Sequence, residues 1–294
     1  MDRCRKYLYA FPFLLFIGIF YLYGLFYGIL NSFGYYRVVG ESFFTLEFYK
    51  KILENKALYS TLVFTAKISF ISAVISLVFS IVIIYFLYIN IKKKLISPNV
   101  IQKLIESPLL VPYLIGAYAV LIVFMQNGIL STLFQKLGWI ESYQQFPILT
   151  NDRNGVGIII TYVWKTIPFI TMMSMPTVKR ISNRWDPLAR VYNLGSFGFF
   201  RKIVLPLIAP TLVISFFIIL SYFFIAFETP YLLGVTHPKS LAVYIYDIYS
   251  RGSLEERGYV MAMNIAISLF SLAIGGFIAG LLKIFSKLDE KGWG

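Results

Sequence analysis

Long apolar runs, each about the thickness of a bilayer, alternate along this chain with shorter stretches that hold most of its charge. A helix needs about 20 apolar residues to cross the hydrocarbon core. Six runs reach that length, over 7–31, 59–90, 107–126, 156–176, 206–227 and 258–284. Each is predicted to be helical, because backbone groups left unpaired in lipid cost several kcal/mol apiece. The second and sixth runs exceed the bilayer thickness and predict tilt or protrusion. The first outlasts the apolar part of a secretory signal and ends without a small-residue cleavage site, so it reads as a retained span. The predicted fold class is an all-α integral membrane protein with six transmembrane helices.

Composition supports this pattern. The 294 residues are 58% hydrophobic and only 14% charged, where a soluble domain carries about a quarter charged residues. The net charge of +13 belongs to loops at a membrane surface rather than to a nucleic-acid site, because no soluble basic domain exists to bind one. It also sets the orientation. With the first segment inside, Arg3, Arg5, Lys6, Lys92, Lys93, Lys94 and Lys103 are cytoplasmic, as are Lys179, Arg180, Arg184, Arg190, Arg201, Lys202, Lys283, Lys287 and Lys291. The opposite side holds Arg37, Lys50, Lys51, Lys56, Lys136, Arg153, Lys239, Arg251 and Arg257. The excess predicts a multi-pass protein of the cell (inner) membrane with both termini in the cytoplasm.

Candidate catalytic chemistry is absent. A single cysteine, Cys4, excludes an intrachain disulfide, and with three residues before it Cys4 does not suit a lipid anchor. His237 is the one histidine, and no group of His, Cys and carboxylates has metal-ligand spacing. Nucleophile elbows, Walker loops and dinucleotide fingerprints are missing. The chain is expected to be no enzyme and to bind no cofactor of its own.

The loop of about 177–205, between the fourth and fifth runs, is the longest cytoplasmic segment. Leu188, Val191, Leu194, Phe197, Phe199, Phe200 and Ile203 recur along it at short steps, several at the spacing of an amphipathic helix. Asp186-Pro187 reads as a helix start, with Asp as cap and Pro at the first helical position. Asn193, Gly195 and Gly198 are candidate breakers. The loop is therefore predicted to be two short helices with a bend, and Pro206 and Pro210 fall in the first turn of the fifth span. Such apolar side chains need a surface to bury against. The residues alone leave open whether that is the chain's own spans, lipid headgroups or a partner protein.

The stretch Ala189–Pro210, "ARVYNLGSFGFFRKIVLPLIAP", resembles the signature loop of the binding-protein-dependent ABC importer permeases: Glu-Ala-Ala, three residues, Gly, nine residues, Ile, one residue, Leu-Pro. Ala189, Ile203, Leu205 and Pro206 match in type and spacing, and Arg201-Lys202 supplies the basic pair before the Ile. Pro187 and Leu188 take the places of Glu and the first Ala, with Asp186 adjacent, and Asn193 takes the place of Gly. "FTLEFYKKILENKALYSTLVFTAKIS" is similar to the family's lead-in to its second span, and "VWKTIPF" to its fourth. "FETPYLLG" and "GYVMAMNIAIS" look most like the spermidine/putrescine branch. The resemblance implies a loop that couples to a cytoplasmic ATPase through Asp186, Pro187, Leu188, Ala189, Arg190, Asn193, Gly195, Ser196, Ile203, Leu205 and Pro206. It divides the chain into a first span with its external loop (1–58), a permease core (59–285) and a tail (286–294).

Polar residues at membrane depth are the candidates for a pathway, since a charge near mid-span costs about 2.5–3.5 kcal/mol and tends to face the bundle interior. Lys67 is near enough to its span's end to snorkel. Lys165 is deeper in the fourth span, with Pro168 expected to kink the helix beyond it. Asn264 is in the sixth span, and Glu228 closes the fifth. Lys165 and Glu228 are expected to line or gate the path, paired in one conformation. His237, Asp247, Glu255 and Glu256 are either solvated or in contact with an external protein, and Tyr244, Tyr246, Tyr249 and Tyr259 suit an interface belt.

The resemblance implies an importer permease with alternating access. Its expected partners are a cytoplasmic ABC ATPase dimer that binds the ATP, a second permease subunit, identical or related, an extracellular solute-binding protein and membrane lipid. The expected solute is polyamine-like, or an iron complex, thiosulfate or phosphonate. A self-contained secondary transporter is the alternative, although no convincing repeat supports it; a membrane enzyme or scaffold is a further one.

Overall fold

The computed structural model of the chain describes residues 2–36, 41–42, 44–93, 96–191 and 195–292. Its helices are α1 (Asp2–Ser32), α2 (Glu47–Glu54), α3 (Lys56–Lys93), α4 (Pro98–Leu110), α5 (Tyr113–Phe124) and α6 (Ile129–Lys136). There follow α7 (Val156–Val191), α8 (Ser196–Phe199), α9 (Leu205–Ile225), α10 (Glu228–Leu233), α11 (Leu241–Arg251) and α12 (Glu256–Gly292). The fold is all-α apart from a two-residue antiparallel pairing of Tyr35–Tyr36 with Glu41–Ser42. Six segments are long and apolar enough to cross a membrane: Phe11–Ser32, Lys56–Lys93, Tyr113–Lys136, Val156–Trp185, Ser196–Ile225 and Glu256–Phe277. The chain divides into two compact units, Met1–Tyr59 with Tyr244–Ala273, and Ser60–Val243 with Ile274–Gly294.

In the first unit α1 is apolar all round and exposes Phe13, Phe16, Phe20 and Phe26, as suits a helix bounded by hydrocarbon. Its far end is tied to α2 by a hydrogen bond between Ser32 Oγ and Tyr49 Oη, 2.8 Å. Asn55 joins three helices. Its Oδ1 accepts from the N–H groups of Ala57 (2.9 Å) and Leu58 (3.0 Å), capping the start of α3. Its Nδ2 donates to Tyr244 of α11 (3.0 Å) and Tyr259 of α12 (2.9 Å). Two of the four tyrosines expected in an interface belt thus also hold the unit together. Gly258 is needed where it stands, because a Cβ there would lie 2.4 Å from the Phe48 ring.

In the second unit α7 is the central rod, packed against α4, α5, α9 and α10. On one face of α3, Thr65, Ser69, Ser72, Ser76 and Ser80 recur at steps of three and four and are all buried. Small side chains let helix backbones approach closely in a membrane. Thr161, Thr166, Thr171 and Ser174 of α7 are buried as well, and Ser76 Oγ lies 2.7 Å from Thr166 Oγ1. At its start α7 is capped by Asp152, whose carboxylate accepts from Asn154 N–H (2.9 Å) and Val156 N–H (2.8 Å). Gly155 makes the turn at φ +70°, and a Cβ there would lie 2.4 Å from Ile68.

Three sequence expectations change. The third span, expected as one helix over 107–126, is interrupted: α4 ends at Leu110 and α5 begins at Tyr113. Pro112 lacks an N–H and pushes Val111 into an extended conformation, so the helix cannot run through. Asp186-Pro187 does not start a helix; α7 continues through it to Val191, in one piece past Pro168 as well. The bent pair of helices is, among the described residues, the end of α7 and the single turn α8, which runs through a π-helical turn (Phe200–Val204) into α9. Pro206 takes the first turn of α9, and Pro210 lies inside the helix.

Candidate functional site

Two parts of the second unit carry the candidate residues. The first is the hairpin between α7 and α9. For Asp186, Pro187, Leu188, Ala189 and Arg190 the backbone alone is described, as the last turns of α7, and Asn193 and Leu194 lie outside the described residues. Gly195 precedes α8 at φ −63°, ψ 158°, an ordinary extended geometry, and is exposed. Ser196 opens α8.

Most of the described apolar side chains of the hairpin are met by the chain itself. Phe199 and Phe200 are 0% and 4% exposed. They pack on α3, with Phe199 stacked on Tyr88 at 5.9 Å between centroids and Phe200 edge-on to Tyr85 at 5.0 Å. Ile203 and Leu205 are partly buried against the same core. Phe197 is the exception, edge-on to Tyr85 yet 61% exposed. The Leu205 N–H reaches back to the Phe200 carbonyl, five residues earlier, which closes the π turn ahead of Pro206. A π turn rotates the chain relative to an α-helix, so Phe199, Phe200 and Val204 face inward while Arg201 and Lys202 remain exposed.

The second part is an aromatic cluster around Lys165. Lys165 is 3% exposed. Its Nζ donates to the carbonyls of Pro108 and Val111 and lies 4.9 Å from the Tyr113 ring centroid. Tyr113 meets Tyr222 of α9 at 5.0 Å. Tyr162, one helical turn from Lys165, stacks on Phe223 at 4.1 Å with planes 8° apart. Gly116 of α5 allows this approach, because a Cβ there would be 3.1 Å from the Trp164 ring.

Lys165 and Glu228 are not joined. Glu228 is exposed at the start of α10, within electrostatic reach of Tyr222, while the Lys165 ammonium is taken up by carbonyls. Ion pairs among the described residues include Lys50–Glu54, Lys51–Glu47 and Arg251–Asp247. Lys67 is exposed on α3 and Asn264 on α12. Tyr113, Tyr162 and Tyr222 were not singled out from the sequence, where three tyrosines among 22 carry no signal.

No family model matches the chain. It is 24% identical over 208 residues to AmyD of Thermoanaerobacterium thermosulfurigenes, described as a probable starch degradation products transport system permease protein, covering 68% of this chain and 66% of that protein. It is 22% identical over 209 residues to cysT of Helicosporidium sp. subsp. Simulium jonesii, described as a probable sulfate transport system permease protein, covering 71% and 72%. A solved bacterial alginate ABC transporter, in complex with an alginate pentasaccharide-bound periplasmic protein, has a chain that superposes with a TM-score of 0.78 at 15% identity, over 97% of this chain and 96% of that one. The fold is therefore that of an ABC importer permease.

Proposed function

We propose that the chain is the permease subunit of an ATP-driven ABC importer and, with a second permease subunit, lines the path of a small polar solute. The superposition over 97% of the chain, with the hairpin seated between the fourth and fifth spans, carries this reading. The hairpin lies in the cytoplasm with both termini and engages an ATPase dimer. An external binding protein delivers the solute at the opposite end. At about 1.5 Å per residue, the 36-residue α7 is a lever roughly 54 Å long. It begins at the Asp152 cap, passes the Lys165 cluster and ends in the hairpin. A displacement of the hairpin by the ATPases is delivered along α7 to α4, α5, α9 and α10 together, and alternates which end is open.

The solute is a carbohydrate in this reading. AmyD is named for starch degradation products and the superposed transporter for alginate. Tyr222 and Trp164, about two-fifths exposed on neighbouring helices of the cluster, offer ring faces with polar neighbours, the usual lining of a polar-organic ligand site. Glu228 supplies an acceptor for hydroxyls. The likeness to polyamine permeases rests on two short stretches, "FETPYLLG" and "GYVMAMNIAIS".

The test is a cysteine at Ser196 in a Cys4→Ser background, treated with a short bifunctional crosslinker in native membranes. The expected product joins this chain to an ATP-hydrolysing subunit. A product confined to this chain and lipid would remove the importer assignment.

A further inference from the structure

The third span is broken where its own residues dictate, and a group from another helix fills the break. In a continuous helix the Pro108 carbonyl would accept from the N–H four residues later. That residue is Pro112, which has none. The residue before a proline is pushed out of the helical region. Val111 accordingly sits at φ −80°, ψ 124°, and Pro112 at φ −56°, ψ 148°. The two extended residues turn the Val111 carbonyl out of the ladder as well. The helix resumes when Gly116 N–H takes the Pro112 carbonyl at 3.0 Å. Two carbonyls are left at the break without a donor from their own helix, on residues that are half-buried.

Lys165 meets both. Its ammonium donates to Pro108 and Val111 and turns a further face to the Tyr113 ring. It also stands at the C-terminal end of α4, where the aligned peptide dipoles favour a cation, and α4 has no basic residue in its own last turn. A buried lysine without an anion and two half-buried carbonyls without donors from their own helix are each costly alone. Together they complete one another.

We propose that Lys165 is a positioning residue, the clamp that fastens the two halves of the broken third span, α4 and α5, to α7. The ammonium is consumed by the fold and is not offered to the solute. Because α7 carries it, movement of α7 reaches the third span at its break.

Hydrogen exchange of the chain in nanodiscs, followed by mass spectrometry over residues 104–118, tests this without solute or ATPase, so failure here leaves the permease reading standing. Lys165→Met is expected to speed exchange around 108–116 by roughly tenfold or more, leaving α9 unchanged. Lys165→Arg is expected to recover most of the protection, since a guanidinium has donors for two carbonyls. Pro112→Ala returns an N–H to the Pro108 carbonyl. In that background Lys165→Met is expected to speed exchange less than about threefold. If Lys165→Met alone yields no folded protein, the Pro112→Ala, Lys165→Met double variant is expected to restore the yield. Unchanged exchange in Lys165→Met overturns the proposal, as do equal increases in both backgrounds or a double variant that stays unfolded.

Discussion

Tyr162 and Phe223 lie face to face, with ring centroids 4.1 Å apart, and so lock α7 to α9 in the bundle core. Tyr162 is 1% exposed, and its hydroxyl has no hydrogen-bond partner among the described residues. A buried hydroxyl without a partner costs about 1–3 kcal/mol. Tyr162→Phe is therefore expected to hold or raise the thermal midpoint of the solubilised chain. Tyr162→Ala, which removes the stack, is expected to lower stability by about 3–5 kcal/mol. A drop on Tyr162→Phe as large as that of Tyr162→Ala would mean that the hydroxyl is bound after all.

The contact between Ser76 and Thr166 gives a smaller and more local prediction. Hydrogen bonds between membrane helices are worth about 0.6 kcal/mol on average, and Thr166 Oγ1 keeps a second bond to the Tyr162 carbonyl at 2.7 Å. Ser76→Ala is expected to be nearly neutral. Ser76→Leu, which forces α3 away from α7, is expected to cost about 1–3 kcal/mol. Unfolding of both variants in one detergent checks the order, and a reversal would show that the hydroxyl pair rather than close approach holds these helices.

Asn55 separates capping from bridging. Asn55→Asp keeps the acceptor for Ala57 and Leu58, and the hydroxyls of Tyr244 and Tyr259 can turn to donate to the second carboxylate oxygen. It is expected to stay within about 1 kcal/mol of the parent. Asn55→Leu loses the cap, about 1 kcal/mol, and strands two hydroxyls. Equal loss in both variants, read by thermal unfolding, would show that the two hydroxyls need the Nδ2 donor and that the cap contributes little.

Much of this fold is legible in the residues because hydropathy and span length are the same physics. The runs at 59–90 and 258–284 fall inside helices for that reason, and that at 206–227 overruns its helix by two residues. The break at Pro112 escaped, because an apolar run scores alike whether or not its backbone continues. The signal was nevertheless present, as Pro108 and Pro112 are four apart and the second removes the donor of the first. Lys165 was legible as an anomaly but its partners were not, since a carbonyl acceptor has no residue type. The sequence offers a carboxylate partner instead, Glu228, because it closes the fifth predicted span. The serine and threonine stripe of α3 was readable at helical spacing and passed over, because a hydroxyl in an apolar run barely changes hydropathy. The hairpin was found through a motif rather than a pattern. Its inward aromatic side, Phe199 and Phe200 on Tyr85 and Tyr88, depends on a π turn that periodicity does not predict.

Lys165 and Glu228 were expected to pair, and the carbonyl clamp gives the opposite prediction. Lys165→Glu is expected to abolish folding or transport, because it sets a carboxylate against two carbonyls. Glu228→Lys, at an exposed position, is expected to be far milder. Combining the two should then give no recovery over Lys165→Glu alone, in uptake of labelled solute by whole cells. Recovery above the single variant would establish a pair in another conformation.

Gly195 separates the needs of the fold from those of a partner. Its backbone is in an extended region open to any residue, and a Cβ there meets nothing within 4 Å. Gly195→Ala is therefore expected to leave the thermal midpoint unchanged. Gly195→Trp is also expected to unfold with the parent, since open space surrounds the position. What the bulky side chain should disturb is whatever lies against the hairpin in the assembled transporter. Copurification of the ATPase with Gly195→Trp is expected to fall at least about tenfold, the loss of roughly 1.4 kcal/mol of binding. If the tryptophan variant keeps both its stability and its ATPase, the contact is made elsewhere on the hairpin, and the exposed Phe197 ring becomes the position to probe.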